Sequence, residues 1–215
     1  MTSTSEAKPK WRKFLFSMVI GGVAGFAGAF SVLQMDDAGL FGAISTSSSI
    51  ALLVAVIYLI MGLSVGFGVI SPTYGAKFLN VEDPEELEEM QQTLKGSAIG
   101  TLALGVLLIV IVMGGPGGLL SSTTTITASI VLFAIAAWGT RISMQHADEL
   151  MRAVSSETAS MAYYLTFAIL GGWALLAHIG NLRAPTMIEI LTLFWVLVLF
   201  ATFWVCGRRG MLMPR

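Results

Sequence analysis

Charge is what this sequence has least of. Lys, Arg, Asp and Glu together make up 12% of its 215 residues and apolar residues 55%, whereas an ordinary soluble domain is about a quarter charged. That balance excludes a freely soluble globular domain and requires an apolar solvent for most of the chain. Cysteine is scarcer still. Cys206 stands alone, so an internal disulfide and a cysteine-based metal site are excluded, and at the end of the last apolar run it reads as a small apolar filler. No CxxC, paired His-x-x-x-His, glycine-rich phosphate loop or serine nucleophile motif occurs, so no catalytic residue, metal or cofactor is expected. The net charge of −1 averages over opposed blocks and says nothing of partners by itself. The lipid bilayer is the expected surrounding, and no nucleic acid is expected.

What is present are long apolar runs. Windows of about 18 or more mostly apolar residues predict spans at 14–34, 49–70, 97–113, 124–141, 160–179 and 187–206. The expected fold is an all-α membrane protein, a six-span helical bundle over 14–206. It is flanked by a basic tail at 1–13, cytoplasmic helical turns at 71–96 and 142–159, and a second basic tail at 207–215. Eleven of the twelve Lys and Arg residues fall on one side of this arrangement and only Arg183 on the other. Cationic segments near span ends stay in the cytoplasm, so both termini are expected inside, in the manner of a bacterial inner-membrane protein. The first run, after Lys8, Lys10, Arg12 and Lys13, also has the look of a signal peptide, with small residues near Ala27 and Ala29. A retained span is the preferred reading, because the apolar stretch is long for a signal. Gly21, Gly25 and Gly28 in this run and Gly62 and Gly66 in the second give small faces suited to close helix contact, within the chain or with a second copy or partner.

The stretch "VEDPEELEEMQQTLKG" at 81–96 places six acids in eight positions between two spans. Asp83 is a favoured N-cap, Pro84 suits the first turn and the early glutamates favour the helix dipole. A helix is therefore predicted from Pro84, running on without a breaker towards the third span, with Gly96 its one soft point. Leu87, Met90 and Leu94 form an apolar stripe towards a neighbour, and Glu85, Glu86, Glu88 and Glu89 face water. A second such device follows span four, where "WGTRISMQHADELMRAV" parallels "YGAKFLNVEDPEELEEM". The hydroxyl-rich entries "STSSSI" and "SSTTTIT" also match in kind. The expectation is two similar hairpins, spans 2–3 and 4–5, with Arg152 pairing Glu89 or Glu86 across the cytoplasmic contact. Asp148, Glu149 and Arg152 complete the candidate docking surface.

The segment "ADELMRAVSSETASMAYYLTFAILGGWALL", followed by "APTMIEILTLFWVLVLFATFWVCGRRGM", resembles small polytopic proteins of bacterial inner membranes. These carry an Asp-Glu-x-x-Arg turn leading into an amphipathic helix and span, then a two-span hairpin and an Arg-rich tail. The resemblance covers about residues 138–210, and Glu89 departs from it in the first half by standing where the Arg would be. It implies an architecture and no activity, substrate or catalytic residue.

Ionisable groups inside a membrane are expensive and mark function or pairing. His178, Arg183 and Glu189, near the outer ends of spans 5 and 6, are the one candidate polar cluster. Its readings are a salt bridge between Glu189 and Arg183 or a solvated helix end, proton coupling through His178 and Glu189, and a gating or ligand contact. His146 beside Asp148 and Glu149 lacks paired metal-ligand spacing and reads as solvated surface. "GGPGG" at 114–118 follows a span and reads as a turn. Together these features favour a non-enzymatic accessory, assembly or regulatory subunit that meets a membrane-protein partner, or a second copy of itself. The alternative is a small transporter or channel, with proton coupling as a variant.

Overall fold

The computed structural model describes residues 10–41, 44–71, 73–75 and 84–212, and places their side chains except those of 10–18, 20, 36, 84 and 86. The longer helices in chain order are α1 (Lys10–Asp37), α2 (Thr46–Ile70), α3 (Pro84–Glu89), α4 (Gln91–Met113), α5 (Ser122–His146), α6 (Glu149–His178) and α7 (Met187–Arg208). No strand occurs among the described residues. Five of the helices, α2, α4, α5, α6 and α7, are long and apolar enough to cross a membrane. In α1 the described apolar stretch is shorter, Gly21–Met35, within a continuous 28-residue helix.

Side-chain caps fix where the helices begin. Ser45 accepts a bond from Ser48 N at 3.2 Å to start α2, and Ser121 accepts one from Thr124 N at 3.2 Å to start α5. Each satisfies an orphan donor of a first turn. The matching hydroxyl-rich entries thus do the same job at both helices. Thr186 starts α7 through a reciprocal capping box with Glu189. At its other end α2 stops at Ser71 (φ −132°, ψ 76°), the residue before Pro72, which cannot stay helical without clashing with the proline ring. "GGPGG" is a turn, as expected, with Gly117 at φ +81° and Leu120 N bonded to Met113 O at 2.8 Å.

Helix α2 is the hub, packed by α1, α4 and α7, while α5 packs on α4 and α6 on α7. The core lies where the first three meet: Leu52 and Ala55 of α2, Leu108 and Val112 of α4 and Val32 of α1 are buried, with Trp195 and Leu199 of α7 against them. Lipid tails are as apolar as leucine, so these helices associate through close packing and hydrogen bonds rather than through burial from water. Helices α4 and α5 approach each other closely at glycines. A Cβ on Gly96 would lie 2.5 Å from Ser143 N, and one on Gly139 would lie 2.7 Å from Gly96 O. Gly28 meets Val56 and Ile60, and Gly62 meets Leu102, as helix-packing positions should; Gly66 makes ordinary contact with Ala98. A Cβ at Gly21 or Gly25 would meet nothing within 4 Å among the described residues, so the small face of these two is open within the chain.

Three expectations are corrected. Spans 2–3 form a packed pair, α2 with α4, but α5 and α6 do not close into a hairpin. The reason is that the glycine face of α5 is taken up by α4, and the link residues Ala147 (ψ 138°) and Asp148 (ψ 177°) are extended, which sends α6 away towards α7. The proposed repeat also loses its register. Tyr74-Gly75 stands beyond the end of α2 at Ile70, whereas Trp138-Gly139 lies inside α5. Lastly, the acidic helix is interrupted at Met90 rather than running through to the membrane, and Gly96 is a contact point instead of a weak one.

Candidate functional site

Polar side chains gather at two places, one at each end of the α6–α7 pair. At the end formed by the α6–α7 loop, the carboxylate of Glu189 has been given four donors. Arg183 Nη1 reaches Oε2 at 2.8 Å and Nη2 reaches Oε1 at 2.5 Å, a two-pronged ion pair. Thr186 N donates to Oε2 at 2.8 Å, and Ser47 Oγ of α2 donates to Oε1 at 2.8 Å across 142 residues of sequence. Arg183 itself is held by its backbone, since its carbonyl accepts from Trp173 Nε1 at 2.8 Å, and its guanidinium lies 5.7 Å from the Trp173 ring centre. The pairing with Glu189 raises the Arg183 pKa above its ordinary value, first through the hydrogen bond and then through the opposite charge. Among the sequence readings, the salt bridge is the geometry found. His178, an exposed residue at the end of α6, has no hydrogen bond to either partner among the described residues.

At the opposite end, Glu157 of α6 holds both arginines of the last turn of α7. Its Oε1 pairs with Arg208 Nη2, and its Oε2 accepts from Arg209 Nε at 2.9 Å. Sequence reasoning passed over Glu157 and Ser47. A usable signal for Glu157 was a lone acid facing an Arg-Arg pair on the same side of the membrane; Ser47 carried no signal beyond its hydroxyl.

The acidic turn is built from one apolar anchor. Leu87 is 1% exposed and fits against Gly75, where a Cβ would lie 3.0 Å from Leu87 Cδ1 and 2.6 Å from Gly68 Cα. Only glycine leaves room for this contact at the end of α2. The neighbour of the apolar stripe is therefore α2, not a second acidic turn. Glu85, Glu88 and Glu89 are exposed; the side chain of Glu86 and the Asp83 cap lie outside the described residues. Asp148 caps α6 by accepting Met151 N at 2.7 Å, and Glu149 is exposed in the first turn. Arg152 does not pair with Glu89: its Nε donates to Ala147 O at 3.0 Å, closing its own helix start. Helix α3 packs on α2 and α4, while α6 packs on α7. His146 is exposed, its Nδ1 3.0 Å from Ile142 O, and no three metal-ligating side chains cluster among the described residues.

In the interior, Tyr58 Oη donates to Trp195 O at 2.8 Å, and Trp195 Nε1 donates to Leu104 O at 3.2 Å. These two bonds stitch α2, α7 and α4 together. They spend the one donor of each aromatic on a neighbouring helix, which makes both packing residues. Compared with known proteins, the chain matches no family model, no curated protein and no solved structure.

Proposed function

We propose that this is a six-span protein of a bacterial inner membrane, with α1 as the sixth span and both termini cytoplasmic. On this reading it works without chemistry of its own, as an accessory, assembly or regulatory subunit of a membrane complex. The observation that carries the reading is the seating of α3. A single fully buried leucine pins a short helix onto α2 and leaves Glu85, Glu88 and Glu89 exposed, so the acids stand on a fixed support rather than on a loose loop. Fixed like charges in water favour a basic partner through orientation and encounter rate. The saturation of Glu189 by Arg183, Thr186 and Ser47 supports this reading over a proton-coupled transporter, whose carrier would need a carboxylate free to take up a proton.

The test is co-purification from native membranes in mild detergent, comparing the intact protein with a variant neutralised at Glu85, Glu86, Glu88 and Glu89. A stoichiometric partner present with the first and lost with the second is the expected result. Recovery of the protein alone in both, from membranes whose other complexes survive the detergent, would overturn the docking role.

A further inference from the structure

Between the N-terminal turns of α2 and α7 and the last turn of α4 lies a cavity of about 390 Å³, lined among others by Ser45, Ser48, Val112, Thr186, Ile188 and Leu191. That volume is in the range of small-molecule sites, which run from about 300 to 1,000 Å³. None of its lining residues is ionisable, so a charged ligand would lose its hydration without gaining a counter-charge. The wall is aliphatic and the rim carries hydroxyls. Counting the hydroxyl hydrogens shows what the rim offers. Ser45 Oγ and Ser48 Oγ share one bond at 3.1 Å, and Ser45 Oγ also accepts Ser48 N. Two hydroxyls that spend one hydrogen between them leave the other to donate outward. Thr186 Oγ1 accepts Glu189 N at 3.4 Å, and its own hydrogen is left over as well. The rim therefore keeps two hydroxyl hydrogens unspent, which an oxygen of an occupant would accept.

We propose that this cavity binds an uncharged, lipid-soluble molecule with a carbonyl or ester oxygen at one end, the oxygen meeting the Ser45–Ser48–Thr186 rim and the hydrocarbon lying against Val112, Ile188 and Leu191. The site lies where α2, α4 and α7 meet, so an occupant would touch all three. The inference does not depend on the subunit role.

The test is photolabelling of the full-length chain in alkyl maltoside micelles, which contain no ester, with a long-chain methyl ester bearing a diazirine, and with the matched free acid and matched alkane. Mapping by mass spectrometry is expected to place saturable ester labelling on the Val112 and Ile188–Leu191 segments, with the alkane weaker and the acid weakest. Leu191→Trp fills the cavity and removes the labelling. Ser45→Asp keeps a competent helix cap but replaces a donor by an acceptor. It should raise the half-saturating ester concentration about fivefold, the scale of one hydrogen bond, and leave the alkane unchanged. Non-saturable ester labelling spread equally over exposed Phe133 and Phe167, or acid labelling as strong as ester labelling, would overturn the proposal. So would an unchanged ester response in a folded Ser45→Asp protein.

Discussion

At the scale of single residues, the interhelical polar contacts among the described residues are specific enough to make each a sharp probe. Glu189→Gln keeps the shape of the side chain but turns one acceptor oxygen into an amide donor facing Arg183 and Thr186 N. The expected outcome is a thermal midpoint in detergent lower by a few degrees, with Arg183→Ala lowering it less because the lost guanidinium is largely exposed and Thr186 N and Ser47 still bind the carboxylate. An unchanged midpoint for Glu189→Gln would mean that the four bonds on its carboxylate hold nothing together. Tyr58→Phe removes one interhelical bond and should cost about 0.6 kcal/mol, the mean for such bonds in membranes. Reversible unfolding by titrated denaturing detergent measures it. The Glu189–Arg183 pair was legible in the sequence because both ends lie within seven residues of each other at one span boundary. The bond from Ser47 was not, since nothing local ties a serine in one helix cap to a glutamate 142 residues later.

At the scale of elements, the hydroxyl-rich starts of α2 and α5 were read as a matched pair, whereas the caps at Asp148 and Thr186 and the helix partners were not. Caps are local: Ser45, Ser121, Asp148 and Thr186 lie within four residues of the turns they satisfy. Partner choice rests on surfaces from distant parts of the chain. Gly96 and Gly100 have the same spacing as Gly21 and Gly25, yet the first pair meets Gly139 and Ala136 at close range while the second meets nothing described. Spacing alone could not rank them, because a glycine is a notch and only its filling shows in three dimensions. The two faces should respond differently to one added methyl. Gly139→Ala forces backbone apart and should cost about 1–3 kcal/mol as overpacking. Gly25→Ala should be neutral or stabilising by up to about 1 kcal/mol through helix propensity. Equal losses at the two sites would show that α1 is packed in the working protein as tightly as α5.

At the scale of the whole molecule, the count and order of the spans came from hydropathy, and five of them stand in the structure as helices of the required length. Orientation is testable with single cysteines in a Cys206→Ser background. On intact cells a membrane-impermeant maleimide should modify Cys at Gly117 or Asn181 and leave Cys at Glu88 or Ser155 untouched; the reverse pattern would invert the topology. The central place of α2 has a consequence for how such a chain comes into being. Its hydroxyl at Tyr58 finds its acceptor on Trp195, 137 residues further on. At a synthesis rate of about 5–20 residues per second, that interval lasts roughly 7–27 s. Through that time the ribosome is still extending a protein whose hub lacks the wall that α7 supplies. A chain cut short of α7 would leave Tyr58 without its acceptor and the bundle open on that side.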